Sequence, residues 1–219
     1  MKKELKPTGK YNELLEKVPD AYRNMLHMNE YMIVIAPHEE LTEKIKKVKQ
    51  AFAEKFNSKS TLLQRPHIML VHFYSWKMLE EKITQKIKNI AMASAPFKIE
   101  LKDFGSFPSH SIHINVTTKI PVQNLVKELK DIQKLMKADP SRDPYFVSEP
   151  YVAVARKLVP WQYEKAWQEY AHKQFTARFI ADSFLLLKRP AGVKSWQIAA
   201  RYSFENLPVS SRQGFLFAA

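Results

Sequence analysis

The sequence predicts an α+β fold built as a duplication. Two lobes, each a small antiparallel sheet backed by helices, are expected to face one another across a central cleft. Three observations lead there. Apolar runs of strand length alternate with stretches whose apolar residues recur every three or four positions. The order strand, helix, strand, helix, strand, strand is readable from Tyr31 and again from near Val116, the second copy incomplete at its start unless Ile112–Val116 is counted in it. Two proline-opened apolar strands, Leu62–Tyr74 and Pro150–Leu158, occupy matching places in the two copies.

The elements follow in order. Tyr31–Ala36 is a continuous apolar run stopped by Pro37, the pattern of a buried central strand. Leu41, Ile45, Val48, Phe52 and Phe56 then form one stripe of a helix. Lys44, Lys46, Lys47, Lys49 and Lys55 fill much of the rest and are expected to make a solvated basic face. After the loop at 57–60 comes Leu62–Tyr74, entered through Pro66. Strict alternation puts His67, Met69 and Val71 on one face and Ile68, Leu70 and His72 on the other. Ser75 is a candidate N-cap for a helix carrying Leu79, Ile83, Ile87 and Ile90. Phe97–Lys102 alternates apolar and charged, and residues 103–109 read as a turn. Ser111–Val116 alternates again, with His113 and Asn115 on its polar side.

Pro121 suits a first helical turn, and Leu125, Leu129, Ile132 and Leu135 supply that helix's stripe. The turn-rich stretch 139–144 precedes the second organising strand. There, alternation groups Tyr151, Ala153, Ala155 and Lys157. Pro160 opens a helix with Tyr163, Trp167 and Tyr170 at helical spacing, an aromatic stripe expected in the core. A long, bent strand over Phe175–Lys188 and a last one over Ser195–Phe204 complete the fold. Residues 1–29 read as an N-terminal extension, with short helices around Pro19, 30–204 as one bilobal domain, and 205–219 as a loosely held tail.

Composition narrows the chemistry. The 219 residues contain no cysteine, which excludes disulfides, thiolate metal sites and a cysteine nucleophile. No apolar run reaches the length of a membrane span, and no signal-type apolar region follows the basic start, so the cytoplasm is the expected location. The formal net charge of +13 favours polyanionic partners such as RNA, nucleotides or other phosphates. No metal or cofactor is expected.

Pro66-His67-Ile68-Met69-Leu70 and Pro150-Tyr151-Val152-Ala153-Val154 stand 84 residues apart, with Phe104-Gly105-Ser106-Phe107-Pro108 between them. This arrangement resembles the 2H phosphoesterase superfamily, in its 2′-5′ RNA ligase-like and cyclic phosphodiesterase branch, over roughly residues 30–204. Members carry Pro-His-x-(Thr/Ser)-x once per lobe. The resemblance implies two facing histidines that share general base and acid duty on a 2′,3′-cyclic or 2′-5′ phosphodiester, with hydroxyls gripping the phosphate. His67 matches. Met69 and Ala153 stand at the hydroxyl positions, and Tyr151 at the second histidine. A phenol with a reference pKa near 10 is a poor base at neutral pH.

The expected catalytic pair is thus His67 and Tyr151. The expected phosphate- or nucleotide-binding set is Arg65, Met69, Ala153, Lys157 and His113, while His72 is set aside because it lies on the opposite nominal face. Three readings follow. The first is a protein that binds a nucleotide or RNA end in a basic cleft with impaired catalysis. The second is an active phosphodiesterase with His67 as base and Tyr151 as acid. The third is a protein-interaction scaffold.

Overall fold

The computed structural model describes residues 27–58, 62, 64–137, 142–190 and 193–207. The expected short helices around Pro19 lie outside the described residues. Nine strands form one sheet: β1 (Met28–Ile35), β2 (Ile68–Trp76), β3 (Phe97–Phe107), β4 (Ser111–Val116), β5 (Tyr145–Phe146), β6 (Tyr151–Arg156), β7 (Thr176–Ala181), β8 (Ser183–Pro190) and β9 (Gln197–Ser203). The helices are α1 (Glu39–Lys55), α2 (Glu80–Ala93), α3 (Lys119–Lys130), the single turn α4 (Gln133–Met136) and α5 (Pro160–Tyr170). The strand order is β7-β3-β4-β6-β2-β1-β8-β9, with β5 added to β2, and every pairing between these strands is antiparallel.

The two-lobed α+β fold is present, its two expected sheets are two halves of one, and the halves interleave the chain: β1, β2, β8 and β9 make one, and β3, β4, β6 and β7 the other, rather than one half before Val116 and one after. They meet where β2 crosses β6 at the rung Ile68↔Val152, both residues fully buried. The backbone N–H of Val147 adds a bond to the Leu70 carbonyl. The halves are also tied by the long strand expected at 175–188, which splits at Asp182 into β7 on β3 and β8 on β1. One residue separates strands near opposite ends of the order, so the sheet must curl.

Helices cover one face of the sheet. α1 packs on β6 and α5 on β4, while α2 packs on β9 and α3 on β2. Leu41, Ile45 and Phe52 of α1 and Ile83 and Ile87 of α2 meet Ile33, Ile35, Leu70, Phe73 and Ile114 of the strands in one core. α1 is capped by His38, whose Nδ1 accepts from the Leu41 N–H at 3.3 Å, with Glu39 and Glu40 in the first turn where the helix dipole favours acid.

Some local expectations change. Ser75 is not a cap: β2 continues to Trp76, a 3-10 turn spans Lys77–Leu79, and the buried Ser75 hydroxyl donates to the Leu135 carbonyl instead. The expected turn at 103–109 is mostly strand. Asp103 takes a left-handed φ of 54° and exchanges bonds with Phe175, which absorbs the irregularity and lets β3 run on to Phe107. At the far end, Asn206 and Leu207 donate backbone N–H groups to the carbonyls of Ser94 and Met92.

Candidate active site

The face of the sheet away from the helices carries the motif residues. Antiparallel pairing at Ile68↔Val152 sets His67 opposite Ala153 and Met69 opposite Tyr151. On the other side of β6, β4 sets His113 opposite Ala153 and Asn115 opposite Tyr151. Three adjacent strands thus present His67 and Met69, then Tyr151 and Ala153, then His113 and Asn115 to one groove.

Two bulges decide what else faces it. In β2 the register with β1 skips Leu70, and in β6 the register with β4 skips Val154. Each skipped residue lies three positions after the motif residue of its strand. A bulge reverses alternation beyond it. His72 therefore joins Met69 on the groove face, against the expectation from strict alternation, and both line one hollow. Arg156 likewise joins Tyr151 and Ala153, while Ala155 turns into the core. Lys157 falls just past the strand, exposed, with a left-handed φ of 56° that turns the chain away. The expectation that Lys157 shares a face with Tyr151 gives way to Arg156.

His67 is partly buried. Its Nδ1–H donates to the Arg65 carbonyl at 2.8 Å, which leaves Nε2 as a free acceptor. Burial, with the charges of Arg156 and Lys49 nearby, pushes His67 down to about 4 despite that hydrogen bond. His113 is 8% exposed and packs against Phe107 at 4.7 Å and Tyr151 at 4.9 Å between ring centroids. Burial, opposed by a hydrogen bond with Asn115 and aided by Arg156, takes it to about 4 as well. Both imidazoles are neutral at pH 7.

Arg156 connects these groups. Its Nη2–H donates to the Tyr151 hydroxyl at 3.4 Å, and its guanidinium sits 5.5 Å from the Tyr151 ring centre. Its buried Nε–H has no partner among the described residues, nor do Ser111 Oγ and His113 Nδ1 on the adjoining strand. Lys49 reaches in from α1. It is 4% exposed rather than solvated, donates to the Gln64 carbonyl, and is lowered to about 8 by burial and by Arg156. Arg65 points elsewhere: its Nη2 bonds Glu39 at 2.8 Å, and the side chain is 62% exposed.

A second polar group sits on the β1–β2–β8 side. Glu30, 5% exposed, accepts from His72 Nε2–H at 2.7 Å and from Arg189 at 2.6 and 2.7 Å. Burial opposes its ionisation, but the hydrogen bonds from His72 and Arg189 outweigh it and hold Glu30 down to about 2. Arg189 in turn lies 4.3 Å over the Trp196 ring. No cluster able to hold a metal ion is present among the described residues.

The site thus gathers the Arg156 guanidinium and two imidazoles, each with a ring nitrogen unpartnered among the described residues. The residues around it also match a family model. Residues 36–192 match that of the 2′-5′ RNA ligase superfamily, the 2H phosphoesterases. The chain belongs to this superfamily.

Solved structures agree at the level of fold. LigT of E. coli complexed with 3′-AMP superposes with a TM-score of 0.57 at 12% identity, covering 81% of this chain and 98% of LigT. TT0787 of Thermus thermophilus gives 0.57 at 13% identity over 80% and 98%. LigT complexed with NADP+ gives 0.55 at 14% identity over 81% and 99%. No curated protein sequence matches.

Within this superfamily assignment, alternation alone misses Arg156, Lys49 and His72. A signal exists for two of them. His72 follows His67, and Arg156 follows Tyr151, by the same five residues.

Proposed function

We propose that the groove binds a nucleotide or an RNA end through its phosphate, and that hydrolysis by the superfamily's two-histidine route is impaired. The observation that carries this reading is Arg156. Its Nε–H is buried without a partner, and no carboxylate pairs with it among the described residues. A phosphate would satisfy that donor and relieve its repulsion with Lys49. Met69, Tyr151 and Ala153 supply neither the second imidazole nor the two hydroxyls, so the groove keeps the grip and loses most of the acid–base machinery.

The test is binding and turnover of 2′,3′-cyclic nucleotides and 2′-5′-linked oligonucleotides by the wild-type protein and Arg156→Gln. The expected result is salt-sensitive binding that Arg156→Gln weakens by about 10- to 100-fold, with little turnover. Absence of any phosphate binding would refute the reading.

One observation favours an active phosphodiesterase. His67 donates its Nδ1–H to a carbonyl, so Nε2 is poised as a base, and the Tyr151 hydroxyl stands beside Arg156 as a candidate acid. Wild-type turnover abolished by both His67→Ala and Tyr151→Phe would select this alternative.

A further inference from the structure

Outside the groove, two loop tips stand side by side where β3 turns into β4 and where β6 leads into α5. Residues 108–110 close the first turn, with Ser109 at a left-handed φ of 68°. Residues 157–159 make the second, with Lys157 at 56°. The Leu158 N–H donates to the His110 carbonyl at 3.0 Å and ties the two together. Gln162 braces the second tip. Its side-chain oxygen accepts from the Val159 N–H at 3.2 Å, and its amide donates to the Phe56 and Asn57 carbonyls at 2.9 and 3.1 Å. The start of α5 is therefore held in place.

Held there, Val159, Pro160 and Trp161 are all exposed, Val159 at 44% and Trp161 at 52%. Single exposed apolar side chains are ordinary on a protein surface, but three in succession are not. Pro160 has a local reason, since proline suits the first position of a helix. The other two have none. An N-cap favours Ser, Thr, Asp or Asn, and Val159 fills it. The first turn favours acids, and it holds none. Lys157 is equally unexplained by its backbone, because a left-handed φ favours glycine or asparagine over lysine.

Charge points to the occupant. Lys157 and Lys165 flank the apolar run, and the Lys165 ammonium lies 5.8 Å from the Trp161 ring centre. Glu164 is the one acid between positions 157 and 165. Near the other end of α5, Lys55 and Lys173 share a single acid, Glu169. An apolar ridge with a cationic border repels a second copy of this +13 chain. It complements a surface that is apolar within and anionic outside, and tryptophan is the side chain that settles at such a boundary. Peripheral contact needs no spanning helix, and none among the described residues is long and apolar enough to be one.

We propose that Val159, Pro160 and Trp161, bordered by Lys157 and Lys165, form a ridge that seats the protein on the surface of an anionic lipid bilayer.

Co-sedimentation with vesicles of phosphatidylcholine, with and without phosphatidylglycerol, tests it. The wild-type protein is expected to bind the mixed vesicles, to release them as salt rises, and to leave pure phosphatidylcholine unbound. Trp161→Ala should weaken binding by about tenfold, and Lys157→Gln and Lys165→Gln by about fivefold each. Lys88→Gln, on α2, should leave it unchanged. All four positions are exposed, and a melting curve checks that each variant folds. Absence of vesicle binding, or equal binding to both vesicle types, overturns the proposal. So does a loss in Lys88→Gln equal to that in Lys157→Gln, because the overall charge rather than the ridge would then hold the lipid. Binding to polyglutamate or single-stranded RNA that Trp161→Ala weakens, without vesicle binding, overturns the lipid assignment in favour of a different partner.

Discussion

Arg156 and Lys157 are adjacent cations with opposite surroundings. Arg156 lies in the groove with an Nε–H unpartnered among the described residues, and Lys157 lies outside it in a left-handed backbone conformation. Their substitutions should separate cleanly. Arg156→Gln removes a charge-assisted contact and should weaken phosphate binding by about 10- to 100-fold. Lys157→Gly should leave binding unchanged, and stability unchanged or higher by up to about 1 kcal/mol, because glycine carries no penalty at positive φ. Titrations and denaturation curves of the two variants check this. Equal losses of binding would show that proximity in sequence, rather than side-chain direction, sets the effect. The motif positions offer a converse experiment. Met69→Thr, Tyr151→His and Ala153→Thr together should raise hydrolysis of a 2′,3′-cyclic nucleotide by at least about 100-fold, the scale of one restored acid–base partner. Unchanged turnover in a folded triple variant would mean that the groove differs from its superfamily in more than these three side chains.

At the scale of elements, the seam between β2 and β6 carries the whole arrangement. Ile68 and Val152 bury their side chains on the helix side, and their pairing places His67 beside Ala153 and Met69 beside Tyr151 on the other. Ile68→Ala should cost about 2–5 kcal/mol, and hydrogen exchange should show amides of both halves losing protection together. Loss confined to β1 and β2 would mean that the halves open independently. The seam also explains what can be read from sequence. Apolar runs and helical stripes are local, so strands, helices and their duplicated order are legible in Tyr31–Ala36, in the stripe from Leu41 to Phe56 and in the paired proline-opened strands. A bulge is not local. Leu70 and Val154 are ordinary apolar residues, and only pairing with β1 and β4 reveals that each is skipped. Strict alternation therefore assigns everything beyond them to the wrong face, which hides His72 and Arg156. Lys49 is hidden differently: periodicity sets it among four other lysines of α1, and only tertiary packing buries it beside Gln64.

Over the whole molecule, the net charge of +13 is what remains after every carboxylate is counted against a cation, and several of those pairs form at the surface. Lys46, Lys55, Arg65, Lys98, Lys119, Lys137 and Lys173 each meet a carboxylate. Lys49 and Arg156 meet none among the described residues, and these two cations lie beside the groove. Burial, aided by the charge of Arg156, keeps His67 and His113 neutral in the folded protein, and this sets a pH dependence. Both fall to about 4, below the ordinary histidine value of 6.5. Between pH 6.5 and 4 the unfolded chain binds protons that the folded chain refuses, so stability is fully present above pH 6.5 and is lost as pH falls toward 4. Glu30, held at about 2 from 4.5, adds a separate loss below pH 4.5. Urea denaturation should therefore show stability declining in two stages on acidification. His113→Asn should make the first stage shallower by up to about 1.4 kcal/mol per pH unit, the contribution of one proton, and leave the second in place. An anion bound beside Arg156 offsets the smaller, Arg156 part of that depression and raises both imidazoles only partway, because burial remains. A saturating 2′,3′-cyclic nucleotide should therefore shrink the first stage in part; an undiminished first stage would place the bound phosphate away from His67 and His113.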